Sequence, residues 1–412
     1  MLRNRRLFLA ATLIDALGSG LWVPFALLFL VHGQGMGLVD AGTSLSAGAL
    51  LALVTGPVAG MAMDRFGPRA LLVAGNLVRV GAFAAYPLVH TGWAVAAVSA
   101  VAGFGDRLFW TCNAPMAALL TTGSDTDRML ATQTAGRFAG AGVGAAAMAL
   151  LPPFTSPWAF HLLAYANAAS FAAAALLLRL LKGTFVAPAA TNVPFSPPDA
   201  PKVPFGGWRA VFGDRAFLGF CGTHLAFTLA SASKFAVLPI VVRDLLHGPQ
   251  WIAGTAITLG TVVVVTAQRP IVAMLAGRSR TAGLIGAAVL FSACFALLVP
   301  LASVPLQVAT GLILVTSLGF AIAEAMFGPT ATAAAAAAAP PGAEGRASSL
   351  FQLSWGLPVA VAPGLLAVLL SMSNALTWSI LALTCASAVP ALLVLRKKLP
   401  DALREPSPPV PA

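Results

Sequence analysis

Charged residues are scarce in this sequence. Asp, Glu, Lys and Arg together make up 9% of its 412 residues, whereas a soluble globular protein carries about 25%. A soluble fold of this length could not cover its surface with so few charges. With 58% hydrophobic residues and a mean hydropathy of +0.88, the chain is predicted to be surrounded largely by lipid.

Cysteines are also few, and their positions exclude a disulfide framework or a metal site. Cys112, Cys221, Cys294 and Cys385 all lie within apolar runs and have no metal-ligand spacing. We expect them to be small buried hydrophobic side chains. No phosphate-binding loop, zinc motif or nucleophile elbow occurs, so the sequence predicts no cofactor, no metal and no ATP-driven activity.

Long apolar runs recur along the whole chain. A helix of about 20 apolar residues crosses the hydrocarbon core of a bilayer. The runs predict twelve transmembrane helices at residues 7–31, 41–63, 69–90, 93–121, 130–152, 158–181, 216–242, 251–276, 282–302, 304–332, 347–371 and 374–395. The first run is longer than a signal-peptide core and lacks a small-residue cleavage site, so we expect it to be retained.

The net charge of +11 reflects membrane topology rather than a nucleic-acid partner. Most Lys and Arg residues lie in the ends and loops that the helix count places on one side, and among the opposite connections only Arg243 is basic. This asymmetry predicts a cell-membrane protein with both termini in the cytoplasm. Trp93, Trp158, Trp251 and Trp378 each open an even-numbered helix on the other side, where an aromatic belt is expected.

The helices fall into two groups of six. Residues 1–182 form the first predicted half, 183–207 a cytoplasmic Pro-rich linker, and 208–412 the second half with a short cytoplasmic tail. The stretch GPVAGM at Gly56–Met61 has a weak echo, RPIVAM, at Arg269–Met274. The predicted fold is therefore an all-α integral membrane protein with two pseudo-symmetric six-helix halves.

A short charged loop separates the second and third predicted helices. Its sequence, Gly60-x-x-x-Asp64-Arg65-x-Gly67-x-Arg69, resembles the signature loop of the major facilitator superfamily, in a branch similar to drug:proton antiporters. The resemblance implies secondary transport and a loop that helps to hold one access state. We expect Gly67 to form the turn, Gly60 to let helices approach closely, and Asp64 to lie near a helix N-terminus. A role of the two arginines in topology alone is the alternative.

Two departures from the family pattern leave the direction of transport open. Arg107 is followed by LFWTCN, where the family motif reaches a Gln-Gly pair. The glycines Gly140, Gly142 and Gly144 are followed by Ala145 instead of the proline of the antiporter motif. We expect these glycines to serve helix packing through small residues.

Five ionisable residues of the first half share one level within the membrane. Asp15, Arg79, Asp106, Arg107 and Arg137 lie roughly 8–15 residues, or about 12–22 Å, from the cytoplasmic helix ends at 1.5 Å per residue. Such residues are functional candidates by default. They form either a static ion-pair network or one that rearranges with substrate or proton. Asp15 is the preferred proton-coupling residue, because the first helix lines the central cavity in the family fold.

Five further residues are candidates for a substrate cavity. Glu324 lies in the tenth predicted helix, at a position that lines the cavity in the family fold, and Lys234 lies in the seventh, where it lines the cavity or reaches the membrane surface. Trp22, Trp110 and Trp355 lie within predicted helices rather than at their ends. They line a cavity or pack between helices.

The sequence thus predicts a secondary active transporter, a monomer that exports a small amphipathic or drug-like molecule in exchange for protons. Uptake or facilitated diffusion of a small metabolite is the alternative. An intramembrane aspartyl protease would match Gly103-Phe-Gly105-Asp106 and Pro390-Ala391-Leu392. It would also need a Tyr-Asp pair, which is absent, and two carboxylates that share a proton, so no enzymatic activity is expected.

Overall fold

The regular elements of the protein are helices. The computed structural model describes residues 2–121, 129, 132–133, 136, 139–140, 142–144, 146, 157–183, 208–275, 277–399 and 403. Among these residues, nine helices are long and apolar enough to cross a membrane. The prediction of an all-α membrane fold is confirmed. Most of the predicted fifth helix and nearly all of the predicted linker lie outside the described residues.

Apart from the fifth, all predicted transmembrane segments coincide with helical structure. The first unbroken helices are α1 Leu2–Trp22, α2 Leu38–Leu53, α3 Gly56–Phe66, α4 Pro68–Ala85, α5 Gly92–Leu120 and α6 Pro157–Arg179. They are followed by α7 Trp208–Gly213, α8 Arg215–Ile240, α9 Trp251–Leu275, α10 Arg280–Leu298, α11 Leu306–Ala338, α12 Glu344–Met372 and α13 Asn374–Lys398.

The second predicted transmembrane segment is not one continuous helix. It divides into α2 and α3 at residues 54–55, just before Pro57, which has no backbone N–H to continue the helical ladder. The break is bridged by tighter bonds, because Val54 donates to the carbonyl of Leu51 and Thr55 to that of Ala52. The sequence contains the cause, but a count of apolar residues overlooks it.

The chain divides into two compact units. The first comprises Met1–Pro194, Phe235–Thr258 and Pro363–Val368, and the second comprises Phe195–Lys234, Leu259–Ala362 and Leu369–Ala412. In the first unit α4 packs against α5 and α6, α1 packs against α6, and α2 packs against α5. In the second unit α10 packs against α11 and α13.

Two matching π-helical turns occur in the first unit. One, Phe29–Gly33, ends the segment that begins with α1, and the other, Val241–Leu245, directly follows α8. After the first turn, the backbone N–H of Gln34 donates to Phe29 and that of Met36 to Leu30. After the second turn, Leu246 and Gly248 make the corresponding bonds to Val241 and Val242. The two predicted halves therefore repeat this detail of backbone structure.

The predicted aromatic belt is only partly correct. Trp93, Trp158 and Trp251 are exposed, but Trp378 is 1% exposed. Its indole N–H donates to Asn374 Oδ1 at 2.6 Å, so the polar edge of the ring is satisfied within the protein rather than at the membrane surface. The four cysteines are buried, as predicted.

Candidate functional site

Glycines bring α4 and α5 into close contact at the level of the predicted charge cluster. A Cβ atom on Gly75 would lie 2.7 Å from the carbonyl oxygen of Gly105, and one on Gly105 would lie 2.7 Å from the carbonyl oxygen of Gly75. A Cβ atom on Gly103 would likewise come too close to the side chain of Ala52 on α2. The two glycines before Asp106 are therefore explained by helix packing.

An ion-pair cluster joins α1, α4 and α5. Arg79 Nη1 lies 2.7 Å from Asp15 Oδ1 and 3.8 Å from Asp106 Oδ1. The side chains of Asp15 and Arg79 are buried, whereas that of Asp106 is 39% exposed. The structure thus brings together three of the five charges that the sequence placed at one depth. One guanidinium lies within reach of two carboxylates, and it is closer to the buried one.

The guanidinium of Arg79 is held from several sides. Its carbon lies 4.1 Å from the ring centre of Phe171 and 5.2 Å from that of Phe109, which are cation–π distances. Its Nη2 donates to Asn76 Oδ1 at 3.0 Å. The buried Asn76 side chain donates in turn to the carbonyl of Leu72 at 2.8 Å. These contacts fix the cation without neutralising it, so its charge is balanced by carboxylates.

Trp22 belongs to an aromatic group in the same unit. Its ring centre lies 5.0 Å from those of Phe29 and Phe83 and 4.7 Å from that of Tyr86. Trp22 is buried, so its position matches the packing role that the sequence left open. Phe83 also contacts Phe171, whose ring lies against Arg79. The charge cluster therefore adjoins an apolar aromatic layer, where water is a poor competitor for ion pairs.

The remaining candidates of the first unit are less closely tied to Arg79. Arg107 is half-buried, and within the described part of the chain its Nε has no hydrogen-bond partner. Trp110 is exposed and meets Phe109 edge to face at 5.8 Å. Arg137 and Ala145 lie outside the described residues.

The glycines of the predicted fifth helix lie in helix contacts or are buried. Gly140 packs against Ala16 of α1, Gly142 accepts a hydrogen bond from Thr258 at 3.1 Å, and Gly144 is buried.

A buried polar chain was not predicted. Gln133 Nε2 donates to Thr12 Oγ1 at 3.1 Å, and Asn113 Nδ2 donates to Gln133 Oε1 at 3.4 Å. Thr12 lies one helical turn before Asp15 on α1, so it lies on the same side of that helix. Amide side chains within apolar helices are the sequence signal that could have pointed to this chain.

The second unit contains its own buried ion pair. Lys234 Nζ of α8 lies 3.5 Å from Glu324 Oε2 of α11. The sequence singled out both residues but did not pair them, because no spacing links two charges on distant helices. Trp355, the other candidate in this unit, is 40% exposed. Its ring is parallel to that of Phe327 at a centre distance of 6.2 Å.

The signature loop differs in part from expectation. Gly67 has φ +77°, so the turn requires glycine there, as predicted. The expectation for Gly60 is not met within the described part of the chain, where a Cβ atom on it would meet nothing within 4 Å. Asp64 lies in the last turn of α3, four residues before α4 begins at Pro68. Arg65 is exposed. Arg69 donates to the backbone carbonyl of Arg179 at 2.6 Å, so it caps the C-terminus of α6.

One polar contact joins the two π-helical turns. His32 Nε2 lies 2.7 Å from Asp244 Oδ1, and both residues occupy the fourth position of their turns. Arg243 lies over the ring of Phe160 at 5.5 Å, and His32 stacks on the same ring. The end of the first transmembrane segment is thus held to the end of the seventh within the first unit.

Comparison with known proteins identifies the family. The model of the Major Facilitator Superfamily matches residues 7–363. The chain belongs to the Major Facilitator Superfamily. Multidrug resistance protein MdtH of Klebsiella pneumoniae is 27% identical over 236 residues, which cover 56% of this chain and 54% of that protein. MdtH of Edwardsiella ictaluri is 25% identical over 242 residues, covering 58% and 56%. The chain therefore aligns with about half the length of these relatives.

Solved structures of transporters share the fold. A POT family transporter in complex with 5-aminolevulinic acid gives a TM-score of 0.75 at 13% identity, covering 97% of this chain and 96% of that one. The nucleoside transporter NupG in its D323A form gives 0.73 at 14% identity, covering 95% and 99%. The predicted major facilitator fold is confirmed, and the chain is a multi-pass membrane protein.

The close contact between Gly75 and Gly105 allows a prediction about stability. We expect Gly75→Ala to lower the thermal unfolding temperature, because its Cβ would meet a backbone carbonyl of α5 that cannot move alone. Gly81→Ala is the matched control on α4, since a Cβ there meets no atom of the described residues within 4 Å, and removal of a helical glycine stabilises by up to about 1 kcal/mol. Thermal unfolding of the purified variants in detergent checks this. Equal unfolding temperatures for the two variants would contradict the close contact.

Proposed function

We propose that this protein is a proton-coupled exporter of small amphipathic or drug-like molecules that works by alternating access. The observation that carries the proposal is the position of Arg79 beside two carboxylates, one buried and one partly exposed. The similarity to proteins called multidrug resistance proteins supports the choice of substrate class.

The arrangement suits proton coupling because the guanidinium has two alternative partners. When Asp15 binds a proton, its attraction to Arg79 is lost, and the cation shifts toward Asp106 on α5. When Asp15 releases the proton, Arg79 returns to it. Each change alters the contact between α1, α4 and α5, so a proton can favour one access state over another. A bistable element biased by a ligand is what such coupling requires.

The setting of the protein is part of the proposal. It resides in the cell membrane as a monomer with cytoplasmic termini, and its partners are the substrate, protons and lipid, with no cofactor. The signature loop at residues 60–69 helps to hold one access state. An impermeant thiol reagent should label a single cysteine at position 34 from outside intact cells, and one at position 197 only after lysis. Labelling of position 197 in intact cells would contradict this topology.

The protease alternative finds less support. An aspartyl dyad needs two carboxylates that share a proton, whereas Arg79 lies near both Asp15 and Asp106. The Gly-x-Gly sequence before Asp106 serves helix contacts. A non-enzymatic transport role therefore accounts for the same residues without further groups.

Everted membrane vesicles test the direction and the energy source. Respiration acidifies the interior of such vesicles, so a proton-coupled exporter should accumulate ethidium or radiolabelled chloramphenicol inside them. A protonophore should abolish the accumulation. If neither compound accumulates above vesicles without the protein, the proposal is wrong. If accumulation survives the protonophore, the coupling is wrong.

A further inference from the structure

The pair of Lys234 and Glu324 belongs to the second unit and has no role in the proton step proposed above. Both residues lie within long apolar helices, where an ionisable side chain is costly and marks a functional site by default. Glu324 stands near the middle of α11, with more than ten residues of helix on either side. A purely structural link between α8 and α11 could be made by apolar side chains at lower cost.

The charged groups of Lys234 and Glu324 are not in tight contact. The Nζ–Oε2 distance of 3.5 Å exceeds the 2.7–2.9 Å that is usual for a charge-assisted hydrogen bond. The pair of Arg79 and Asp15, in contrast, is 2.7 Å apart. The contact between Lys234 and Glu324 can therefore be exchanged at less cost than a tight ion pair.

The two partners are unequally accessible. The side chain of Lys234 is 6% exposed and that of Glu324 is 16% exposed. The ammonium lies against α9, where a Cβ atom on Gly260 would come within 3.3 Å of Nζ. The lysine thus lies deeper, while the carboxylate is open on one side. A ligand that approaches the pair meets the acid first.

An aromatic wall adjoins the carboxylate. Phe327 follows Glu324 by three residues and so lies on the same side of α11. Its ring is parallel to Phe227 at 4.6 Å and to the partly exposed Trp355 at 6.2 Å. The buried ring of His224 lies 5.2 Å from Phe327, and its Nδ1 lies 2.8 Å from Ser354 Oγ. Phe327 and Phe227 are themselves buried, whereas Trp355 is 40% exposed, so among these rings Trp355 is the one that a ligand can meet. A carboxylate near an accessible aromatic ring is suited to bind an organic cation.

We propose that Glu324 binds the positive charge of an aromatic or amphipathic cation, and that Lys234 is the built-in counter-ion which the ligand displaces. In the empty site, Lys234 compensates the partly buried carboxylate. In the loaded site, the cation takes its place, and the flat part of the ligand lies near the partly exposed ring of Trp355. This inference rests on the proposed transport function, to which it adds the charge of the substrate.

The two partners should respond in opposite directions, which a structural salt bridge would not. The probe is ethidium, a permanent aromatic cation, and its reference is phenanthridine, the uncharged parent ring, both measured at pH 7.5 with the purified full-length protein. Glu324→Gln should weaken ethidium binding by roughly tenfold or more, because a charge-assisted contact is lost. Lys234→Met should strengthen it by about threefold or more, since the competing cation is gone. Phenanthridine affinity should change little in both.

A double variant tests whether misfolding explains the loss of binding in a single variant. Glu324→Gln combined with Lys234→Met removes both charges of the pair, and it should bind ethidium as weakly as Glu324→Gln alone. Glu324→Asp should restore part of the affinity. If Lys234→Met weakens ethidium binding as much as Glu324→Gln does, the pair is structural and the inference is wrong. It is also wrong if the wild type binds phenanthridine as tightly as ethidium.

Failure of the inference and failure of the transport function are distinguishable. Proton-driven accumulation of chloramphenicol with no charge preference in binding would leave the exporter intact and remove the cation site. The expected binding pattern without proton-driven accumulation would leave the site and remove the exporter.

Discussion

Asp15→Asn should abolish proton-driven accumulation of substrate in membrane vesicles while leaving downhill exchange measurable. Asn has nearly the size of Asp but can neither bind a proton nor carry the charge that holds Arg79 at 2.7 Å. The variant should therefore bind substrate and change conformation, yet gain nothing from the proton gradient. The expected accumulation ratio falls to 1.

The energetics permit an effect of this size. One net charge that moves through ~150 mV, as when a proton is exchanged for an uncharged substrate or two protons for a singly charged one, yields about 3.5 kcal/mol at 2.3 kcal/mol per 100 mV. That energy supports a concentration gradient of several hundredfold. Loss of coupling at a single carboxylate is therefore sufficient to remove the whole gradient.

Two control variants make the result specific. Asp40→Asn removes an exposed acid in the first turn of α2 and should leave accumulation unchanged. Asp106→Asn should reduce accumulation less than Asp15→Asn, because Asp106 lies farther from Arg79 and is partly exposed. Asp15 is not the coupling residue if its Asn variant, inserted at normal levels, still concentrates substrate.

Linking positions 32 and 244 should block transport. His32 and Asp244 are in contact between the two π-helical turns, on the side of the membrane that we propose to be external. We propose that this contact helps to close the external side, and alternating access then requires it to open so that substrate can leave. A short bifunctional thiosulfonate that joins His32→Cys to Asp244→Cys should therefore reduce transport to background, and reduction of the link should restore it.

The cross-linking experiment has internal controls. The native Cys112, Cys221, Cys294 and Cys385 are buried and are first replaced. Each single cysteine variant treated with the same reagent should keep its activity. Full transport by the cross-linked double-cysteine protein would mean that this contact stays closed throughout the transport cycle.

Much of the helical layout could be predicted from sequence, because membrane crossing imposes a minimum apolar length. The turn at Gly67 was predictable for a local reason, since its backbone needs a positive φ. The break before Pro57 was also local, but a count of apolar residues does not register one missing N–H. The burial of Trp378 depends on Asn374 one turn away, and hydropathy alone cannot reveal that partner.

For the candidate site, the sequence could predict only the depth of the charged residues in the membrane. Asp15, Arg79 and Asp106 could be assigned to one level by counting residues from helix ends. Which carboxylate lies closer to Arg79 is a tertiary property that residue counting within single helices does not reveal. The pairing of Lys234 with Glu324 and that of His32 with Asp244 join residues distant in sequence. No periodicity within one helix encodes such pairs.

Proton movement by the purified protein tests the central proposal most directly. In proteoliposomes with an acidic lumen and a trapped pH-sensitive dye, external ethidium should make the lumen more alkaline, because each substrate molecule that enters is exchanged for protons that leave. The Asp15→Asn protein should show ethidium entry with no change in luminal pH. Ethidium entry through the wild-type protein without any change in luminal pH would contradict proton-coupled export.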